Sequence, residues 1–346
     1  MPLDIKSYLL ALAEGADRSE AESFDFFQLL TDETSELEDA HIAAYLMATS
    51  CRGFSCEDFV GAVRALRARM LEVHLSGVDP SKVVMDTCGT GGSGLGVFNI
   101  STAVAFVVAA SGHCVAKHGN RAMSGNCCSA DLLEEIGLRI DMGPAEVEAS
   151  LASEGFAFMF APSYHPATKR VQLLRRKLGV RSIFNFLGPM VNPASVSVQL
   201  IGISDRRVAE VIARALPRLG FERAMLLSGD EGLDEASIAS RTWVAELRAG
   251  VVETYEIKPE DFALERAPLS AIKGGNTSFA AAKFMEVLRA KDGPYLDAVL
   301  LNAGLALYLC DVAESIEEGV LRASSILKSG AAYELYERLR SSKWAS

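Results

Sequence analysis

Met85-Asp86-Thr87-Cys88-Gly89-Thr90-Gly91-Gly92-Ser93-Gly94, with Asn99-Ile100-Ser101-Thr102 just beyond it, is the stretch on which the fold turns. Val83-Val84-Met85 ahead of it reads as a short buried strand, and Ala103 to Ala110 as a helix that stops at Gly112. Strand, glycine-rich turn and helix start together make an anion site. Glycines let the backbone bend and approach a ligand closely. Free amides at the helix start point at negative charge, and the helix dipole adds to the attraction. Ser101 and Thr102 supply hydroxyls for phosphate oxygens or a metal. The spacing predicts a phosphate cradle.

The 346 residues allow one large domain or two of ordinary size. Nearly half are hydrophobic (49%), yet no apolar run is long enough to span a bilayer. The N-terminus, Met1 to Lys6, lacks the basic start of a secretory signal. Seven cysteines, an odd number without repeated CxxC pairs, predict reduced thiols in a cytoplasmic protein rather than a disulfide framework or zinc ribbon. A net charge of -11 argues against nucleic acid as a partner. A small polyanionic ligand would therefore need a locally positive pocket.

Residues 1–76 read as all-helical. Ser19 with Glu22, and Ser35 with Glu38, have capping-box spacing, and Gly53 is a plausible helix stop. After Ser55, Phe59, Val63, Leu66 and Met70 fall on one face. Gly77-Val78-Asp79-Pro80 is the natural linker. From Lys82 the pattern alternates. Strands are predicted at 83–88, 114–117, 156–160, 198–203 and 224–227, with helices at 101–110, 130–136, 145–153 and 206–219. Residues 242–247 and 251–257 form a hairpin, and the tail from Ser278 is helical, ending in one long segment from Val312 to about Arg340. The expected fold is α/β, with a small all-helical N-terminal domain and a larger domain on a mainly parallel sheet. Such sheets bind ligands at the carboxyl ends of their strands.

The second strand runs into Lys117-His118-Gly119-Asn120-Arg121, beside the glycine turn. Ser124-Gly125-Asn126-Cys127-Cys128-Ser129 then makes another small-residue turn into a helix. Basic residues cluster between Lys169 and Arg181. With Val171, Leu174 and Leu178 as the buried stripe, Arg175 lies only ~40° from Val171, whereas Arg176 lies ~140° away. Arg175 thus faces the protein body, where a guanidinium needs an anion, and its planar fork suits a carboxylate. An internal Asp or Glu is the structural alternative. Asp234-Glu235, in Gly232-Leu233-Asp234-Glu235-Ala236-Ser237, offers hard oxygen ligands for Mg²⁺ bridging to substrate phosphates.

The ordered set GTGG-x-G, NIST, KHGNR, S-x-x-x-x-SAD, the arginine helix leading into Phe184-Asn185-Phe186-Leu187-Gly188-Pro189-Met190-Val191-Asn192-Pro193, and GLDEAS resembles anthranilate phosphoribosyltransferases from about residue 80 to the end. The resemblance implies a helical domain over 1–76, joined by helices from about 166–190, and an α/β domain over 80–346. It implies a homodimer through the helical part. It also implies Mg²⁺-dependent transfer of the phosphoribosyl group from phosphoribosyl pyrophosphate to anthranilate in tryptophan biosynthesis. By position, the donor would be held by Gly89, Gly92, Ser93, Val97, Asn99, Ile100, Ser101 and Thr102. Lys117, His118, Gly119, Asn120, Arg121, Ala122, Met123, Ser124, Gly125 and Ser129 would complete that site. Gly89, Asn120 and Arg175 would contact anthranilate; Ser101, Asp234 and Glu235 would bind the metal. Arg175 and His118 would orient the acceptor, with no obligatory general base. Ser93 stands where the family usually has Asp, and Cys128 where it commonly has Gly; a left-handed backbone at 128 would cost cysteine about 1–2 kcal/mol. The same motifs leave two rivals: a pyrimidine nucleoside phosphorylase of the same fold, and a non-enzymatic nucleic-acid-binding paralogue.

Overall fold

A computed structural model describes residues 3–91, 93–121 and 127–343. Four helices open the chain: α1 (Ile5–Ala13), α2 (Glu20–Thr31), α3 (Asp39–Arg52) and α4 (Cys56–Arg67). Ser19 and Ser55 cap α2 and α4 through boxes with Glu22 and Asp58. The box expected at Ser35 does not form. The Ser35 hydroxyl donates back to the Leu29 carbonyl at 2.6 Å, and Glu38 takes the cap position of α3. Gly53 ends α3 with φ 79°.

The α/β part follows the alternation. In order come β1 (Val84–Gly89), α5 (Ile100–Ala110), β2 (Cys114–Gly119), α6 (Ser129–Glu135), α7 (Pro144–Glu154), β3 (Phe156–Phe160), α8 (Ala161–Tyr164), α9 (Lys169–Leu178), α10 (Phe184–Leu187), β4 (Val198–Gly202), α11 (Arg206–Ala215), β5 (Arg223–Gly229), β6 (Thr242–Arg248) and β7 (Val251–Ile257). The seven strands lie in the order β3-β2-β1-β4-β5-β6-β7. Pairs among β1–β5 are parallel, while β6 and β7 add on antiparallel as the expected hairpin. β7 is the edge, with Glu253, Thr254 and Glu256 exposed. The tail is α12 (Thr277–Leu288), α13 (Pro294–Leu309), α14 (Ile316–Lys328) and α15 (Ala331–Ser341). The single helix expected over 312–340 is thus two, because Gly330 sits at φ 83° between them. No helix among the described residues is long and apolar enough to cross a membrane.

Strand alternation sends side chains to two apolar clusters. Val198, Leu200, Met225 and Leu227 pack with α5 and α13 on one face. Ile201, Ile203, Ala224 and Leu226 point the other way, into a cluster shared with α11, α1–α4 and the Val171–Val191 stretch. The N-terminal helices are therefore built onto the back of the sheet. Strand order reverses around β1, which brings the ends of β1, β2 and β4 together. Open α/β sheets bind ligands at such a crevice.

Candidate active site

The glycine turn leaves β1 at that crevice, and the Asp234-Glu235 loop closes against it. The Gly91 backbone N–H donates to Asp234 Oδ2 at 2.9 Å, and that of Thr90 to the Gly202 carbonyl at 2.9 Å. A Cβ on Gly202 would collide with the Asp234 backbone, so only glycine lets the acidic loop approach β4. Asn302 of α13 fixes the loop by exchanging hydrogen bonds with Ala236, at 2.8 Å and 2.9 Å. Burial, then the neighbouring Asp234, pushes the Glu235 carboxyl up to about 8, while the Ser101 amide at the start of α5 opposes the rise. Among the described residues neither carboxylate has an ion-pair partner. The donor set is two carboxylates with the Ser101 hydroxyl nearby, which fits a hard cation. No group of three or more His, Cys, Asp and Glu among the described residues could hold a metal alone. That suits Mg²⁺, which keeps waters and shares substrate phosphates.

Lys117, only 2% exposed, runs under the turn. Its Nζ donates to the Thr87 carbonyl at 2.5 Å and lies 3.4 Å from Ser101 Oγ. Asp86 sits beneath it, fully buried, accepting from the His118 amide at 3.3 Å and from Asn192 Nδ2 at 2.8 Å. Burial raises Asp86 to about 6 against the pull of Lys117 and Asn192. The hydroxyls of Thr90 and Thr102 are buried without partners among the described residues. Val97 and Ile100 are different: the Ile100 side chain is fully buried in the core, leaving only its backbone to face a ligand.

His118 Nδ1 lies 3.2 Å from the Gly188 carbonyl, which sets it as the N–H and leaves Nε2 as an acceptor. Its ring faces that of His165, with centroids 5.1 Å apart. Both Nε2 atoms are buried without partners. Burial, with His165 second, lowers His118 to about 3, and burial lowers His165 to about 4. Both imidazoles are neutral in the folded protein. Between about pH 6.5 and pH 4 the unfolded chain then binds protons that the folded chain refuses. Stability falls as pH falls through that window, by about 1.4 kcal/mol per pH unit per histidine. His165→Gln should flatten the pH dependence of urea unfolding there; an unchanged slope would rule out a neutral buried His165.

Arg175 is partly buried on α9, while Arg176 and Lys177 are exposed, as the helical phase requires. It has no carboxylate within ion-pair reach among the described residues. Its guanidinium lies over the Phe184 ring at 5.6 Å, and burial lowers its pKa. Phe184 opens α10 and Gly188, which holds His118, follows α10. Arg175 and His118 thus both contact the Phe184–Gly188 segment.

Asn120 is exposed at the end of β2, and Gly119 packs so tightly on Ser129 that a side chain would strike its hydroxyl. Asn99 Nδ2 ties the two turns together through the Cys127 carbonyl at 3.0 Å. Arg121 is not drawn into the crevice; it forks onto Glu134 at 2.7 Å and 2.8 Å. Ser93 is described, but Gly92, Ala122, Met123, Ser124 and Gly125 lie outside the described residues. Cys128 caps α6 with an extended φ of -95°, so it carries no left-handed strain. The sequence reading missed His165, Asp86 and Asn192. An aspartate inside an apolar strand was the available signal for Asp86; Asn192 lay in the Phe184–Pro193 run without a role, and nothing marked His165.

Residues 81–333 match the model of the glycosyl transferase family a/b domain, and residues 6–70 that of its helical bundle domain. The anthranilate phosphoribosyltransferase of Persephonella marina is 43% identical over 97% of this chain and 98% of its own. The crystal structure of the Thermus thermophilus anthranilate phosphoribosyltransferase superposes with a TM-score of 0.88 at 36% identity, covering 96% of this chain and 97% of that one. The Saccharomyces cerevisiae enzyme, solved in complex with PRPP and Mg, gives 0.85 at 25% identity over 96% of each chain. With crevice, cradle and inward arginine in place, the chain belongs to the anthranilate phosphoribosyltransferase family.

Proposed function

We propose that the chain transfers the phosphoribosyl group of phosphoribosyl pyrophosphate to the amine of anthranilate, releasing pyrophosphate, in tryptophan biosynthesis. The observation that carries this is Arg175, partly buried and with no carboxylate in ion-pair reach among the described residues. A nucleoside would give that guanidinium no carboxylate to hold.

Pyrophosphate gains charge as it leaves. Lys117 and the N-terminus of α5 lie beside the turn and favour that charge. Bound Mg²⁺, held by Asp234, Glu235 and Ser101, would neutralise part of it. Anthranilate's amine is a weak nucleophile, so placement matters more than deprotonation. Arg175 holds the carboxylate, and the His118 Nε2 lone pair receives an amine N–H and turns its nitrogen toward the ribose. Gly89 and Asn120 border the acceptor. The remaining donor contacts would come from Gly92, Ser93, Val97, Asn99 to Thr102, Gly119, Ala122 to Gly125 and Ser129, with Arg121 held away on Glu134. Ser93 keeps a backbone amide for phosphate but brings no carboxylate toward the metal.

The same reading takes 1–76 with about 166–190 as the helical domain and 80–346 as the catalytic one. Val171, Ile183 and Phe186 packing with α1–α4 supports it. It also takes the protein as a cytoplasmic homodimer. Supporting that are seven free cysteines and the exposed Leu10 and Met47 on the neighbouring helices α1 and α3. The test is loss of anthranilate fluorescence on adding phosphoribosyl pyrophosphate, expected only with Mg²⁺ present. No consumption at any Mg²⁺ concentration would overturn the assignment, and phosphorolysis of thymidine or uridine would replace it.

A further inference from the structure

The glycine turn is held from outside by a segment nearly two hundred residues downstream. Val97 and Lys273 form an isolated antiparallel bridge. Around it the Phe98 amide donates to the Ile272 carbonyl at 2.9 Å, and the Gly274 amide to the Gly96 carbonyl at 2.7 Å. A Cβ on Gly274 would stand 2.7 Å from the Val97 carbonyl oxygen, closer than real Cβ contacts come. Only glycine lets this strap close on the turn.

Tyr295, in the first turn of α13, grips both partners. Its hydroxyl donates to the Lys273 carbonyl at 2.8 Å. Its ring stands edge-on to Phe98, with centroids 5.4 Å apart and planes at 88°. Phe98 is 2% exposed and directly precedes Asn99, the cap of α5. The same helix α13 carries Asn302, which fixes the Asp234-Glu235 loop. One buried helix therefore sets the positions of two elements that must converge on a single ligand: the amides of the turn and the acidic pair.

We propose that Tyr295 and the Ile272–Gly275 strap, Gly274 above all, are positioning elements for the phosphoribosyl donor. They touch no reacting atom. They fix the span between the glycine turn and the start of α5, so that amides on both meet phosphate oxygens together. This rests on the function proposed above. Without the strap the turn can still bind, but it must first be ordered, and that cost falls on donor affinity alone.

The test compares wild type, Tyr295→Phe and Gly274→Ala. KM is measured for each substrate, and the dissociation constant of phosphoribosyl pyrophosphate with Mg²⁺ is obtained by calorimetry. Tyr295→Phe keeps the ring against Phe98 and loses one hydrogen bond. Its donor KM and dissociation constant should both rise about fivefold, the size of one net hydrogen bond. Anthranilate KM should stay near wild type, and the thermal midpoint should fall by no more than a few degrees. Gly274→Ala should raise the donor values further, by about tenfold or more, as the strap is pushed off Val97. Donor values within about twofold of wild type in Tyr295→Phe would overturn the proposal, as would equal rises for both substrates, which mark a general loss of structure. If Gly274→Ala does not fold, Tyr295→Phe decides alone. A wild type that consumes no anthranilate defeats the assigned function itself; an active wild type with an indifferent Tyr295→Phe defeats only the positioning role.

Discussion

Replacing Arg175 with alanine should raise the apparent KM for anthranilate by about 30- to 100-fold, while kcat at saturating anthranilate falls far less. A bidentate pair between guanidinium and carboxylate, formed away from water, contributes about 1.5–3 kcal/mol. That bond is the same in the ground and transition states, so its loss appears mainly in KM. Arg175→Lys should fall between, because an ammonium keeps the charge but not the fork. Folding stability separates this from the structural alternative. An arginine paired to an internal acid would leave a buried carboxylate behind when removed, and the protein would be destabilised. Arg175 lies over the Phe184 ring and has no ion-pair partner among the described residues, so the thermal midpoint of Arg175→Ala should move little. A large drop in stability with an unchanged anthranilate KM would show that its partner is the protein.

Glu235→Gln should lower kcat/KM for the donor by on the order of a hundredfold or more at millimolar Mg²⁺, with part of the loss recovered as Mg²⁺ is raised. The single substitution is informative because Asp234, not Glu235, accepts the bond from Gly91 that locks the turn. The loop stays in place while one metal-facing charge disappears. Its effect on stability should be opposite in sign. Burial and Asp234 hold Glu235 above its ordinary range, so near neutral pH folding of the metal-free protein forces a proton onto this carboxyl, a cost that glutamine avoids, and the thermal midpoint should rise by a few degrees. Adding Asp234→Asn should abolish the Mg²⁺ response and also loosen the turn. Unchanged Mg²⁺ dependence in Glu235→Gln would remove it from the metal site.

Local signals were legible where chemistry and geometry share a few consecutive residues. The glycine turn, the strand periods and the caps at Ser19 and Ser55 are of this kind. The inward phase of Arg175 needed only three apolar neighbours on its own helix. Ser35 failed because Glu38 itself takes the cap of α3, and the Ser35 hydroxyl donates instead to the Leu29 carbonyl. The 312–340 segment kept an apolar stripe across Gly330, and a stripe does not report a left-handed residue. What stayed hidden is non-local. Asn192 reaches Asp86, His165 faces His118, and the Ile272 strap meets the turn only after the sheet has formed. None of these pairs has a fixed spacing in the chain, so no pattern could bring them together.

The open border of the sheet bears on how the molecule behaves in a crowd. β7 presents unpaired backbone groups along seven residues, the geometry that templates fibrils when two such borders meet. Glu253 stands on it, and Glu256 there is ion-paired with Arg206 and Arg241, so a second border laid alongside would meet charged side chains rather than an apolar strip. Charged borders of this kind disfavour edge-to-edge pairing, a safeguard that acts between molecules and is separate from anything the crevice does.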